Sequence, residues 1–292
     1  MEYLINLGIL VAIYGILGLS LNLVVGYSGL LSVTHAAFYG IGAYATALLM
    51  VSFGVNFFIA MVAGMTIAAL TALLIGIVLS KFRNDFYALA SLGFNVIIFS
   101  ILLNWESVTR GPLGIPGIPR PTIGVSSWEL GFSSNLSFLI LSALLLIAVY
   151  YISKFIVHSS FGRVLKALRE DEETIQVFGY NTRYYKLGIF VIAAALAAVA
   201  GSLFATYITF IDPSTFTVNE SIFILAIIIL GGLASLRGAI VGALFLILLP
   251  EALRFVGFPT DIAAQMRQVV YGVILILLML YRPQGLFGEY KL

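Results

Sequence analysis

The sequence lacks cysteine altogether and carries little charge. Only 10% of its 292 residues are Asp, Glu, Lys or Arg, against about 25% in ordinary globular proteins. Without cysteine there are no disulfides, thiol nucleophiles or cysteine metal sites, and the two histidines, His35 and His158, cannot by themselves build a usual metal site. The net charge of +2, without a long basic run, gives no indication of nucleic-acid binding. We therefore expect no metal site and no nucleic-acid partner.

Apolar residues make up 61% of the chain, with a mean hydropathy of +1.10. A helix needs about 20 mostly apolar residues to cross a membrane, and such runs predict an all-α polytopic membrane protein with one transmembrane domain over residues 1–292. The first run follows no basic residue, so we interpret it as a retained helix rather than a cleaved signal peptide. About nine spans are predicted, some broken at glycine, at residues 3–25, 31–50, 56–80, 86–104, 136–154, 187–209, 220–236, 238–253 and 265–281.

The distribution of lysine and arginine predicts the orientation. If the turns at 81–83, 154–186 and 237 lie on the same side as the C-terminus, that side holds 11 of the 15 basic residues. Cytoplasmic loops carry the excess of basic residues. With an odd number of spans, we therefore expect the N-terminus outside and the C-terminus inside.

A charged loop over residues 155–186 interrupts the apolar sequence. Asp171 is a favourable helix N-cap, and Glu172 and Glu173 place negative charge near the positive start of a helix. Gly179 suits the position after a helix, where glycine most easily adopts a left-handed conformation. A short helix is predicted between these residues, preceded by an amphipathic segment. Either this loop docks into a groove of another protein, or it is a solvated connector.

The longest loop on the other side covers residues 105–135. Its core, GPLGIPGIPRP at 111–121, holds four of the eight prolines. Proline and glycine at this density exclude a helix and a central strand, so we predict a stiff, irregular external cap. It is either a connector or a functional loop, as long irregular loops often are.

Two stretches are rich in small residues, GYSGLLSVTHAAFYGIGAYATALL at 26–49 and LGGLASLRGAIVGALFLILLPEALR at 230–254. Small residues let membrane helices pack closely, and glycine also permits broken helices whose free backbone groups line a polar path. Both interpretations stay open, and for His35 a packing role stands beside substrate contact. The candidates for a translocation path are Asn22, Ser28, Thr34, His35, Ser91 and Asn95.

Five blocks of the sequence, in order, resemble the LIV-type (branched-chain amino acid) permease family of ABC importers. The block FGRVLKALREDEETIQVFGYNTRYYKLGIFVIAAALAAVAGSL at 161–203 is similar to the EAA-type cytoplasmic loop and the helix after it. The other blocks are the two stretches of small residues, the Gly/Pro loop and YRPQGLFG at 281–288. The chain departs from the family pattern at Thr174 and Ile175, where alanines are usual, and at Arg237, where an aromatic or small residue is expected.

The resemblance implies a multi-pass permease subunit in the inner membrane of a bacterial or archaeal cell. Its implied partners are two cytoplasmic ATPase subunits, a second homologous permease chain and an extracytoplasmic solute-binding protein, besides the membrane lipid. ATP would be used by the partner subunits, with no cofactor on this chain. The charged loop would insert into an ATPase and transmit its motion, with coupling residues Arg163, Arg169, Asp171, Glu172, Glu173 and Gly179.

The sequence has no GxxxxGK[ST] phosphate loop, in agreement with a transport subunit that is not itself an enzyme. Away from the ends of the spans there is almost no charged residue, whereas ion-coupled transporters usually need one. The neutral path candidates suit a zwitterionic or uncharged substrate, and we predict import of branched-chain or other neutral amino acids. The alternatives are an ABC permease for urea or short amides and, less favoured, an ion-coupled secondary transporter.

Overall fold

The computed structural model describes residues 2–82, 84–125, 128–132 and 134–254, together with 269–270, 272–273, 276–277, 280–281 and 284–288. Its strands are β1 (Ile115–Pro116), β2 (Thr122–Val125), β3 (Trp128–Gly131) and β4 (Phe210–Ile211). Its helices are α1 (Glu2–Ser28), α2 (His35–Phe53), α3 (Phe57–Leu79), α4 (Asn84–Asn104), α5 (Glu106–Thr109), α6 (Asn135–His158), α7 (Ser160–Glu170), α8 (Glu172–Val177), α9 (Thr182–Ile208), α10 (Val218–Gly231) and α11 (Leu236–Arg254).

Six of these helices, α1, α2, α3, α4, α6 and α9, are long and apolar enough to cross a membrane. Within the described residues the bent pair α10–α11 raises the number to seven at most. The prediction of an all-α polytopic membrane protein is thereby confirmed. The expected ninth span, 265–281, lies largely outside the described residues, so the count of nine and the orientation stay predictions.

The expected seventh and eighth spans, 220–236 and 238–253, form one bent pair. Residues 232–235 separate α10 from α11, and the two helix axes bend by 118°. With 14 residues, α10 is about 21 Å long, shorter than the hydrocarbon core of about 30 Å. The chain turns at Gly232 and Ala234, whose φ angles are 112° and 58°. Hydropathy alone does not register such a break.

Helices α1, α2 and α9 form the centre of the bundle, and α3, α6, α10 and α11 pack around them. Glycine permits the closest approach between α2 and α9. A Cβ atom on Gly42 would lie 2.4 Å from the Cα of Ala198, and one on Gly201 would lie 2.1 Å from the carbonyl oxygen of Tyr39. The packing role predicted for small residues in the first stretch is therefore present at this crossing.

The two ends of the bundle carry different structures. Helices α7 and α8 lie at one end, called here the charged end. At the other, called the loop end, β1 pairs antiparallel with β4, with Ile115 opposite Ile211. Strands β2 and β3 pair with Thr122 opposite Gly131. The side-chain amide of Asn56, at the start of α3, donates to the carbonyl of Thr122 at 2.9 Å.

The loop over 105–135 is more regular than predicted. It contains α5, a 3-10 turn (Gly111–Leu113) and three short strands. Arg110 ends α5 with a left-handed φ of 60°. In the Gly/Pro core itself, the only strand is the two-residue β1, whose Pro116 stands at a sheet edge, where proline is tolerated.

The charged loop folds into the predicted short helices. The Oδ1 atom of Asp171 accepts hydrogen bonds from the N–H groups of Glu173 and Thr174, at 2.9 and 3.0 Å. Gly179 follows α8 with a φ of 86°, and its N–H donates to the carbonyl of Gln176 at 2.9 Å. The predicted N-cap and the predicted glycine stop are both confirmed.

Replacing Gly42 by alanine is expected to destabilise the bundle, because the new methyl group would collide with backbone atoms of α9. Overpacking of this kind costs about 1–3 kcal/mol. Gly93→Ala is the matched control, since an added Cβ on Gly93 has no heavy atom within 4 Å and alanine favours a helix by about 1 kcal/mol. Thermal unfolding in detergent compares the two variants. Equal melting temperatures for Gly42→Ala and Gly93→Ala would contradict the tight α2–α9 crossing.

Candidate functional site

Two helices, α2 and α10, begin in the interior of the bundle rather than at its ends. The backbone N–H of Ala36, in the first turn of α2, donates to Oγ of Ser221, in the first turn of α10, at 2.9 Å. Beside Ser221, Glu220 accepts a hydrogen bond from the hydroxyl of Tyr14 at 2.7 Å. Tyr14 lies near the middle of α1. Two helix starts, each with free N–H groups and partial positive charge, therefore meet near mid-depth.

The segment 29–34, which joins α1 to α2, is irregular and largely buried. The N–H of Val33 donates to Oγ of Ser91 on α4 at 3.0 Å, and this serine donates to the carbonyl of Ala88 at 2.7 Å. The hydroxyls of Ser32 and Thr34 lie 2.9 Å apart, within hydrogen-bond distance. Irregular backbone at membrane depth is tolerated only where the protein satisfies its polar groups or lines a cavity, and these hydroxyls satisfy part of this segment.

Three fully buried side chains near this segment have no hydrogen-bond partner among the described residues: His35, Tyr39 and Asn95. Both ring nitrogens of His35 and both amide atoms of Asn95 are unpaired. The His35 ring lies close to the carbonyl of Ser20 without meeting hydrogen-bond geometry. Buried polar groups in proteins are nearly always paired. These atoms are therefore available to water or to a passing ligand.

An aromatic cluster covers this region on the side of the loop end. Phe216 is fully buried, and its ring centroid lies 5.1 Å from that of Tyr39 and 5.9 Å from that of Tyr44. Tyr39 also packs on Phe204, with centroids 5.4 Å apart. Phe216 ends the 3-10 turn Pro213–Phe216 just before α10. The start of α10 is thus closed off from the loop end.

The break between α10 and α11 is held by Asn22 of α1. Its amide Nδ2 donates to the carbonyl of Ser235 at 2.8 Å, and its Oδ1 accepts from the N–H of Ala234 at 3.0 Å. Glycine at position 26 makes room for this contact, because a Cβ there would lie 1.9 Å from the Asn22 Oδ1. The C-terminal segment 284–288 also covers the end of α10. There, the N–H groups of Leu286 and Phe287 donate to the carbonyls of residues 230 and 231.

The end of α1 is in turn attached to α7. The guanidinium of Arg169 donates a hydrogen bond to the carbonyl of Gly26, at the negative C-terminal end of α1. Lys166, one turn earlier on α7, places its ammonium 5.7 Å from the ring centroid of Tyr27, within range of a cation–π contact. Arg169 and Asn22 therefore contact the same last turns of α1 from two sides.

Helix α8 is fixed at its N-terminal end by two charged residues, Asp171 and Glu172. The hydroxyl of Thr174 donates to Asp171 at 2.6 Å; this bond, together with the backbone N–H bonds, lowers the pKa of the Asp171 carboxyl. The ionised cap is complete at neutral pH and is lost as the pH falls through the lowered pKa. Glu172 binds α8 to the start of α9, with its Oε2 atom 2.5 Å from Nζ of the buried Lys186. The hydroxyl of Thr182 donates to the same carboxylate at 3.1 Å.

The outer surface of α8 and the turn after it is apolar. No residue of α8 is buried, and Val177 and Phe178 are 86% and 73% exposed. Tyr180 and Tyr184 are exposed beside them. Four large side chains are thus exposed at the centre of a highly charged segment. These four residues are called the α8 patch.

The predicted path residues fall in three places. Thr34, His35 and Ser91 lie around the start of α2, and Asn95 lies one turn from Ser91 on α4. Asn22 lies at the other break, where both of its amide groups are used by the backbone. Ser28 lies at the end of α1, where its hydroxyl donates to the carbonyl of Val24 at 2.6 Å. Within the described residues no group of three His, Asp or Glu could hold a metal ion.

The predicted coupling residues have different positions and contacts in the structure. Asp171 and Gly179 bound α8, Glu172 braces it against α9, and Arg169 contacts α1. Arg163 and Glu173 lie on exposed positions of α7 and α8.

Sequence reasoning missed Tyr14, Glu220 and Ser221. Glu220 stands near the start of a helix, as the sequence indicates, but this start lies inside the bundle. The polar stretch DPSTFTVNES at 212–221 resembles a surface loop, and in the structure it carries Phe216 and Glu220 inward. The apolar runs on both sides of this stretch give no indication that it turns inward.

Comparison with known proteins gives a consistent result. The sequence pattern of the family described as "Branched-chain amino acid transport system / permease component" matches residues 3–279. The chain is 36% identical to the "High-affinity branched-chain amino acid transport system permease protein LivM" of Escherichia coli (strain K12), over 97% of this chain and 69% of that protein.

Two more distant relatives carry similar descriptions. The chain is 29% identical to the "High-affinity branched-chain amino acid transport system permease protein LivH" of the same strain, over 94% of this chain and 91% of that protein. It is 24% identical to the "Probable branched-chain amino acid transport permease protein LivM" of Methanocaldococcus jannaschii, over 95% of this chain and 91% of that protein. No solved structure matches the chain.

Asn22→Leu is expected to lower the free energy of unfolding by about 2 kcal/mol or more, because it leaves a buried N–H and a buried carbonyl unpaired. Asn95→Leu is the matched control. This asparagine is equally buried but forms no hydrogen bond within the described residues, so an apolar replacement is expected to be neutral or stabilising. Thermal unfolding of both variants in detergent makes the comparison. An equal loss in both would show that Asn22 does not hold the break.

Proposed function

This chain belongs to the branched-chain amino acid transport permease family and is the permease subunit of an ABC importer; we propose that it moves branched-chain or other neutral amino acids across the inner membrane of a bacterial or archaeal cell. It is a multi-pass membrane protein by its apolar helices. ATP binding and hydrolysis take place on two separate cytoplasmic ATPase subunits. The chain itself holds no cofactor and catalyses no reaction.

The α8 patch is the proposed docking site for an ATPase subunit, and its exposure is the observation on which the proposal depends. Apolar side chains that are this exposed gain free energy when another protein covers them. A short helix at a membrane surface suits a groove on a partner. The acidic residues at 171–173 precede the patch and Arg183 lies within it in the sequence, which fits charged groups beside an apolar centre.

The contacts of α1 supply a route from this docking site to the α10–α11 break. Motion of α8 moves α7, because the two helices are joined at Asp171. Helix α7 holds the end of α1 through Arg169 and the carbonyl of Gly26. One turn away, Asn22 holds the break through two hydrogen bonds. A displacement of the ATPase would therefore reach the start of α11 through a short series of polar contacts.

The interior starts of α2 and α10 form the proposed translocation path. An amino acid zwitterion carries one negative and one positive group. The two helix starts present N–H groups suited to the carboxylate, as at broken helices of other transporters, and Glu220 presents a carboxylate suited to the ammonium. His35, Tyr39 and Asn95 supply further unpaired polar atoms.

The proposed orientation places the charged end in the cytoplasm. The end of α1, the α10–α11 break, α7, α8 and segment 284–288 all meet at this end. The β1–β4 and β2–β3 pairs lie at the other. In this arrangement α10 crosses the membrane together with β4 and the 3-10 turn that precede it. With a ninth helix at 265–281, the N-terminus is outside and the C-terminus inside.

Two further partners belong to the proposal, a second permease chain and an extracytoplasmic solute-binding protein. Support for the second permease comes from the similarity of this chain to both LivM and LivH of one Escherichia coli strain, two permease proteins with the same system name. The binding protein would deliver the amino acid at the loop end. The Gly/Pro loop is the largest described structure there.

Cysteine labelling tests the orientation, since the chain has no cysteine of its own. Leu113 at the loop end and Val177 at the charged end are similarly exposed, at 81% and 86%. In intact cells a membrane-impermeant maleimide is expected to label Leu113→Cys but not Val177→Cys. Permeabilised cells that express the chain without its ATPase subunits, in which both variants react, are the control, because the ATPase is proposed to cover Val177. The opposite labelling pattern would reverse the proposed orientation.

Phe178→Ala is expected to release the ATPase subunits from the complex purified from its native membrane. An aromatic residue at the centre of an interface contributes about 2 kcal/mol or more, which is roughly thirty-fold in Kd. Phe155→Ala is the matched control, because Phe155 is 77% exposed but lies on the lipid-facing side of α6. Co-purifying subunits are identified by mass spectrometry.

Three results of this experiment are decisive. Loss of the ATPases in Phe178→Ala alone supports docking at the α8 patch. Retention in both variants removes the patch from the interface. Recovery of the unmodified chain without any ATPase or second permease would contradict the proposed assembly itself.

A further inference from the structure

We propose that the groove between α6 and α11 is a binding site for an anionic phospholipid, with Arg237 and Lys154 at its headgroup end. The groove has a volume of about 440 Å³ and is lined by residues of these two helices only. Nothing in the transport function requires it, and the proposal depends on the membrane location of the chain and on the proposed cytoplasmic position of the charged end. Arg237 is also one of the three positions at which the sequence departs from the family pattern.

The walls of the groove are apolar along most of their length. Leu146 and Ile147 of α6 face Ile240 and Val241 of α11 across it. Tyr150 and Tyr151 line it one turn closer to the charged end, with their rings packed edge to face at a centroid distance of 5.8 Å. Tyrosine is enriched where a membrane protein passes from hydrocarbon to headgroups. The groove therefore changes from apolar to polar toward the charged end, as a lipid molecule does from its acyl chains to its headgroup.

The two helices run in opposite directions, and their polar ends coincide. Helix α6 runs toward the charged end, so Lys154 lies one turn beyond Tyr150 in that direction. Helix α11 starts at the charged end, so Arg237 precedes Val241 by one turn, about 6 Å. The two cationic residues therefore lie at the same end of the apolar groove, toward the charged end of the bundle. The amide groups at the start of α11 add partial positive charge on the same side.

Neither cation is neutralised by the part of the protein that the structure describes. Arg237 and Lys154 are both exposed, and their side chains form no ion pair or hydrogen bond within the described residues. An unpaired guanidinium on the lipid-facing side of a span is costly unless it reaches the headgroups or finds an anion. A phospholipid phosphate supplies that anion. Basic pockets between membrane helices on the cytoplasmic side are known to hold anionic headgroups.

The test uses the complex purified from its native membrane in detergent and supplied with dioleoylphosphatidylglycerol or dioleoylphosphatidylcholine. Native mass spectrometry measures how much of each lipid is retained. The unmodified complex is expected to retain the anionic lipid preferentially. A basic residue near the surface contributes about five-fold to such binding, so Arg237→Gln is expected to lower retention about five-fold, and Arg237→Gln with Lys154→Gln further.

Lys81→Gln is the matched control, because Lys81 is exposed at the same end of the bundle but lies outside the groove. Its retention of phosphatidylglycerol is expected to equal that of the unmodified complex. Equal retention by Arg237→Gln and the unmodified complex would overturn the proposal. So would an absence of preference between the two lipids in the unmodified complex.

A second measurement leaves both cations in place and so does not depend on the folding of their variants. Val241→Trp puts a fluorophore in the apolar wall, and brominated lipids quench tryptophan on contact. Brominated phosphatidylglycerol is expected to quench the added fluorescence more strongly than brominated phosphatidylcholine. Equal quenching would overturn the site as an anionic one. Protection from both lipids would show that another protein chain covers the groove, and it would overturn the proposal as well.

Discussion

The fold depends on one constraint, that backbone polar groups inside a membrane must be satisfied by the protein itself. A helix satisfies this rule along its length but not where it breaks, and this bundle breaks at 29–34 and at 232–235. At the first break, serine and threonine hydroxyls satisfy part of the backbone by hydrogen bonding. At the second, one asparagine, Asn22, pairs with both a donor and an acceptor, and segment 284–288 covers the preceding carbonyls. The two breaks are therefore built features of the fold, each with its own polar partners.

Satisfying the second break also ties it mechanically to the charged end. Asn22 and the carbonyl bound by Arg169 lie one helical turn apart on α1, so a rigid element joins the two contacts. Small residues have two roles here, to leave space for a polar side chain and to let helices pack closely. Gly26 leaves space for the Asn22 side chain, and at the α2–α9 crossing Gly42 keeps the neighbouring helices in contact. Tight packing and a broken backbone segment, 29–34, whose polar groups meet serine and threonine hydroxyls, are both present in the same stretch.

Periodic and local signals predicted a large part of this structure. Hydropathy found the six long helices within a few residues, and cap chemistry found both ends of α8 at Asp171 and Gly179. These signals could not predict the bend between α10 and α11. The mean hydropathy of the segment is the same whether its two helices are separate spans or a hairpin. His35 and Asn95 have no hydrogen-bond partner within the described residues, and this depends on neighbours that are distant in the sequence. The approach of Glu220 to Tyr14 joins residues 206 positions apart, which no local pattern encodes.

Helix α10 brings these features together on one short rigid element. Phe216 directly precedes it and closes the region toward the loop end, Glu220 lies in its first turn, and Gly232 ends it at the charged end. A 14-residue helix is too short to bend appreciably, so a shift at its hinge is transmitted to its start. The same movement that displaces the break held by Asn22 would withdraw the Phe216 ring and reposition the Glu220 carboxylate. In the proposed translocation path, opening toward the loop end and exposure of the Glu220 carboxylate would then be one motion rather than two.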